Sequence, residues 1–126
     1  MLFRSDQVSG ITFEYDATIE SPVLSDDNGM FVSVDENKER RVRNVLVGGE
    51  PLDPEKIYTL ASHDYQLLNH GDGYTMFDGC RVLQESVKLD NQVLIDYITQ
   101  TLGGVVSDGY DQPYGQGRIV SVGAEE

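Results

Sequence analysis

Four short runs in which apolar and polar residues alternate commit this chain to a sheet. QVSGITFEYD (7–16) sets Val8, Ile11, Phe13 and Tyr15 against Thr12, Glu14 and Asp16, and RVRNVLVGGE (41–50) sets Val42, Asn44 and Leu46 against Arg43, Val45 and Val47. MFVSV (30–34) and RIVSV (118–122) are shorter versions of the same pattern. A period of two places alternate side chains on opposite faces of a strand. Turn formers separate the runs: SPVLSDDNG (21–29), Gly48-Gly49 and PLDPEK (51–56). Two further strands are expected at Ile57–Ala61 and in CRVLQES (80–86).

LDNQVLIDYITQTLGG (89–104) follows a different period. Leu94, Ile98 and Leu102 recur every four residues with Val93 and Tyr97 beside them, which predicts a helix over about 90–102 with one broad buried face. Asp90 suits its N-cap and Gly103 the residue just past its end. The expected fold is therefore α+β: a mixed, largely antiparallel sheet with one clear helix packed on it. At 126 residues, one domain is the natural size.

The charge excludes a class of partner. With 22 acidic against 9 basic residues the net is -13, and such a field repels a polyanion, so no nucleic acid is expected. The basic cluster Lys38, Arg40, Arg41 and Arg43 reads as an exposed strand start balancing Glu36 and Glu39. No apolar run reaches the roughly 20 residues of a membrane helix, and MLFRSDQVSG is too short and polar for a targeting signal. Cys80 is the single cysteine, which rules out an internal disulfide and a cysteine zinc motif. It reads as a small packing residue.

Chemistry-bearing residues concentrate in HDYQLLNHGDGYTMF (63–77). His63, Asp64, His70 and Asp72 are metal-ligand types, but the spacing of a zinc helix and a third histidine are lacking, so no metal is assigned. SDDNG lacks the alternating ligands of a calcium loop. NHGDGYTMF lacks the lysine motif of a phosphate loop, and its aspartate would repel an anion. No catalytic residue is visible. A ligand clamp fits better: Gly71 and Gly73 permit tight turns, Asp72 offers a carboxylate to vicinal hydroxyls, and Tyr65 and Tyr74 offer flat faces. The competing reading is a structural turn with space-filling tyrosines.

QVSGITFEYD, RVRNVLVGGEPLDPEKIYTLAS and DYQLLNHGDGYTMF, in this order and near this spacing, resemble the C-terminal domain of the 5'-nucleotidases, a family that includes the bacterial UDP-sugar hydrolases. DNQVLIDYI and YGQGRIV are in the same style. The resemblance implies a metal-dependent phosphohydrolase that converts a 5'-nucleotide to nucleoside and phosphate. Its separate N-terminal domain would carry two divalent metal ions, and no cofactor is implied in this chain.

The resemblance also assigns roles. Tyr65 matches one ring of a base sandwich, just after a strand, and Asp72 with Gly71 and Gly73 matches a Gly-Asp-Gly turn that contacts the ribose. Phe3 is the aromatic available for the second ring, and His70 stands where relatives have glycine, either reaching the ligand or facing water. Residues 1–126 are expected to be the later part of the substrate-binding domain, without the catalytic domain and inactive alone. An unpaired sheet edge would favour self-association. The parent protein would be extracellular, at the cell surface or periplasmic. The alternative is a non-catalytic acidic binding or structural module of a cell-surface protein.

Overall fold

The structure, a computed structural model, describes residues 8–110 and 116–123. The strands are β1 (Ile11–Asp16), β2 (Val23–Ser25), β3 (Phe31–Val34), β4 (Val42–Val47), β5 (Glu50–Pro51) and β6 (Ile119–Val122). Two α-helices, α1 (Asp64–Leu67) and α2 (Asp90–Asp96), lie between β5 and β6 in sequence. The described residues divide into two compact units, one of residues 8–25, 33–58 and 116–123, the other of residues 26–32 and 59–110.

The first unit holds a sheet in the order β5-β4-β1-β6. Strands β1 and β4 are antiparallel, as are β4 and β5, whereas β1 and β6 are parallel, so the sheet is mixed and mainly antiparallel as expected. Strand β1, flanked on both sides, is half-buried along its whole length. Gly48 and Gly49 both have positive φ (62° and 88°) and close the two-residue turn from β4 to β5. That geometry matches the twist of a hairpin.

The alternation read in β4 is interrupted at Asn44. Thr12 pairs with Leu46 but Glu14 pairs with Arg43, so Asn44 and Val45 together face Phe13 in a bulge. Asn44 has φ 50°, and its amide donates a 2.6 Å hydrogen bond to the Glu14 carboxylate. A bulge shifts the phase of a strand by one residue. Accordingly Val45, Leu46 and Val47 are all half-buried, while Val42 to Asn44 are exposed.

The basic cluster is tied to nearby acids and carbonyls. Lys38 pairs with Glu20 at 3.0 Å, Arg43 with Glu39 at 2.8 Å and with Asp16 at 3.6 Å, and Arg41 Nε donates to the Ile19 carbonyl. Glu39 is thus a partner as expected, whereas Lys38 uses Glu20 rather than Glu36. The Thr18 hydroxyl and N–H both donate to Asp16, and with Arg43 nearby they hold its carboxyl below the ordinary value.

Strands β2 and β3 form a separate two-stranded ribbon. β2 lies inside a segment read only as a turn. The turn itself forms at residues 26–29, where the Asp26 carboxylate accepts the N–H groups of Asn28 (2.9 Å) and Met30 (2.8 Å). These bonds, Met30's first, lower the Asp26 pKa.

The strands expected at Ile57–Ala61 and in CRVLQES do not form. Their residues suit strands, but a strand requires a neighbour for its N–H and C=O groups, and no ladder includes them. Ile57 is 93% exposed.

The helix does form, as α2 continued by π-helical Tyr97–Thr101. Its N-cap is Leu89, one residue before the expected Asp90, which sits in the first turn and there favours the helix dipole. Gly103 has φ 67° and ends the helix as expected. The predicted buried face is corrected. Val93, Leu94 and Tyr97 are exposed, with Leu94 at 60%, and Ile98 and Leu102 are half-buried. Periodicity marks an apolar face, but burial needs something over it. No apolar side chain among the described residues is fully buried.

Candidate functional site

Residues 63–78 form one compact series of turns within the second unit. His63, extended at φ -69° and ψ 146°, leads into α1, and its carbonyl accepts the N–H groups of Gln66 and Leu67. Gln66 is the buried polar side chain of this region, and its Oε1 accepts the Ser62 hydroxyl at 2.8 Å. Tyr65, on α1 rather than just after a strand, is 41% exposed.

The chain then turns sharply. His70 (φ 54°, ψ 28°) and Asp72 (φ 56°, ψ 21°) are left-handed, and Gly73 has φ 83°. A left-handed non-glycine residue costs roughly 1–2 kcal/mol, less for Asp and Asn. The His70 carbonyl accepts the Gly73 N–H at 3.1 Å, and the Gly71 carbonyl accepts the Tyr74 N–H at 3.3 Å.

The two glycines serve different ends. Gly73 adopts a positive φ of the kind a tight turn asks of glycine. Gly71 does not; it is buried, and a Cβ there would fall within 2.4 Å of three Tyr65 ring atoms. The Tyr65 ring therefore lies directly on Gly71. A Cβ on Gly73 would meet the Phe31 ring at 2.5 Å, so a second aromatic covers the other glycine. Asp72 stands between them, exposed, and the Tyr65 hydroxyl donates to its Oδ1 at a long 3.4 Å. Tyr74 stacks on Phe77 with ring centroids 6.1 Å apart.

Tyr65, Gly71, Asp72 and Gly73 thus lie together in this turn. Phe3, expected as a second ring, lies outside the described residues. His70 neither stands alone nor points at Asp72; its Nε2 is 2.5 Å from Asp78 Oδ1. Phe31, Gln66 and Asp78 were not legible as neighbours of this turn, since no local pattern links them to it. Among the described residues no group of three or more His, Cys, Asp or Glu side chains is arranged to hold a metal ion. No helix among them is long and apolar enough to cross a membrane.

The first unit has a cleft of about 170 Å³ beside the β4 bulge, lined by Phe13, Glu14, Asn44, Leu46 and Val120 among others. Drug-sized ligands occupy roughly 300 Å³ or more. The turn series is the stronger candidate.

Comparison with known families decides the wider assignment. Residues 2–79, well over half of the chain and including the Gly71–Gly73 turn, match the family described as "5'-nucleotidase, C-terminal domain". The chain belongs to this family. Protein UshA of Yersinia enterocolitica serotype O:8 / biotype 1B (strain NCTC 13174 / 8081) is similar to this 5'-nucleotidase C-terminal domain, 40% identical over 57 residues. The match covers 45% of this chain and 10% of the length of UshA. No solved structure matches the chain.

Proposed function

We propose that the turn series 63–78 recognises the nucleoside of a 5'-nucleotide, as the substrate-binding part of a metal-dependent 5'-nucleotidase-type phosphohydrolase. The carrying observation is the joining of Tyr65 and Asp72 across the Gly71–Gly73 turn, with the ring seated on Gly71. Membership of the C-terminal domain family supports the same reading.

The chemistry follows from the two side chains. The exposed ring offers a face on which a base stacks, worth roughly 1 to 3 kcal/mol per base without positive charge. The carboxylate accepts two hydroxyls at once, and vicinal ribose hydroxyls are donors at that spacing. Tyr65 OH, already directed at Asp72, holds that carboxylate beside the ring. In such an enzyme the two divalent ions would be held by the N-terminal domain, as the family resemblance implies, and would activate water and neutralise the phosphoryl charge. In this reading the present chain binds and orients the nucleoside. The parent enzyme would act outside the cytoplasm, at the cell surface or in the periplasm, and would pair this domain with an N-terminal metallophosphoesterase domain.

Titration of the four ribonucleosides into the chain, followed by calorimetry, tests the reading. Tyr65→Ala should weaken the tightest of them by roughly 5- to 150-fold. Equal affinity of the variant and the unaltered chain rejects the stacking role.

A further inference from the structure

His70 stands at the head of the candidate turn with a left-handed backbone and an imidazole Nε2 at 2.5 Å from Asp78 Oδ1. Glycine would adopt that backbone without strain, so the side chain itself must offset the conformation. Its partner is the last residue of the series, just after the 3₁₀ turn Thr75–Phe77. The pair therefore ties together the two ends of the segment Gly71–Phe77. Inside that bracket the His70 carbonyl accepts the Gly73 N–H, which closes the turn carrying Asp72.

We propose that the His70–Asp78 pair is a positioning clasp that holds the Asp72 carboxylate in place for the hydroxyls of the ribose. His70 and Asp78 touch no ligand in this arrangement; they act through the backbone of the turn. The proposal rests on the nucleoside reading above for its ligand, though the clasp can be read without one. Both side chains are substantially exposed, 42% and 65%, so the pair is of modest strength. Exposed pairs of this kind change an equilibrium by up to about fivefold.

Two measurements on the whole chain separate the claims. The first is hydrogen exchange of the Gly73 amide in the unaltered chain and in Asp78→Asn, Asp78→Glu and His70→Asn. The asparagine at position 70 tolerates the left-handed backbone but removes the imidazole. Both asparagine variants should exchange about three- to fivefold faster, and Asp78→Glu should recover part of the protection. Unchanged exchange in Asp78→Asn and His70→Asn overturns the clasp. The second measurement compares affinity for adenosine and for 2',3'-dideoxyadenosine. A clasp that positions Asp72 makes Asp78→Asn lose affinity for adenosine by about three- to fivefold while leaving the dideoxy compound unaffected. Equal losses for both ligands mean a general loosening of the turn and also overturn it. An unaltered chain that binds neither compound defeats the nucleoside reading, and the amide exchange then decides the clasp by itself.

Discussion

At Gly71 the aromatic ring of Tyr65 occupies the space that any side chain would need. Replacing Gly71 with Ala should displace the ring and cost about 1 to 3 kcal/mol, as other overpacking substitutions do. Thermal unfolding and the ring resonances of Tyr65 would show it; an unmoved ring and an unchanged midpoint would contradict the contact. The residue type was legible as turn chemistry, yet the reason was not. A glycine required for space and one required for positive φ look identical in a sequence; Gly71 is the first kind, and Gly73 meets both demands. Asp72 and Tyr65 could be paired from motif resemblance, whereas Phe31 and Asp78 come from outside the motif and carry no signal that names their partner.

A second residue-scale outcome concerns pH. Hydrogen bonds from the Thr18 hydroxyl and N–H, with Arg43 adding attraction, lower the pKa of Asp16 in the folded chain. A depressed folded value adds stability above the unfolded value near 3.8, and that gain disappears as pH falls through the folded value. Thr18→Ala should therefore be less stable than the unaltered chain at pH 6, with the gap narrowing below about pH 4. A gap that stays constant down to pH 2 would show that Thr18 acts through something other than the carboxylate.

Among the elements, alternation located β1, β3, β4 and β6, and helical periodicity located α2. It did not reveal the three-residue β2, too short to show a period, or the bulge in β4. The bulge rests on one residue, Asn44, whose side chain bonds Glu14 while its backbone is left-handed. Asn44→Val should cost about 1 to 2 kcal/mol, and Asn44→Gly less, because glycine accepts the backbone. Urea unfolding monitored on strand β1 would order the two; a valine variant as stable as the glycine one would mean that the bulge relaxes. The unformed strands at 57–61 and in CRVLQES make the complementary point. Composition favours an extended segment, but only a partner with open hydrogen-bonding groups makes it a strand.

The whole molecule carries its acidity as a uniform constraint. Its net charge of -13 should keep the chain from binding RNA or DNA even at low salt, and binding in 50 mM salt would contradict the assignment of a neutral or small anionic ligand. The sheet has two outer strands among the described residues. β5 is two residues long and includes Pro51, which lacks an N–H and so blunts that edge, leaving β6 as the edge better suited to pairing. Concentration-dependent association, read by sedimentation velocity, is expected at that edge and should fall when Ser121, whose N–H faces away from β1 in the parallel register, is replaced by proline. A monomer at high concentration would contradict it.

The central claim, that the turn series reads a ribonucleoside, comes down to the Asp72 carboxylate beside an aromatic face. The direct measurement is the ratio of affinities for a ribonucleoside and its 2',3'-dideoxy counterpart, by calorimetry, in the unaltered chain and in Asp72→Asn. The unaltered chain should prefer the ribonucleoside by roughly tenfold or more, the scale of hydrogen bonds to a charged group, and Asp72→Asn should bring the ratio close to one. Equal ratios in the two proteins would show that the carboxylate does not meet the sugar.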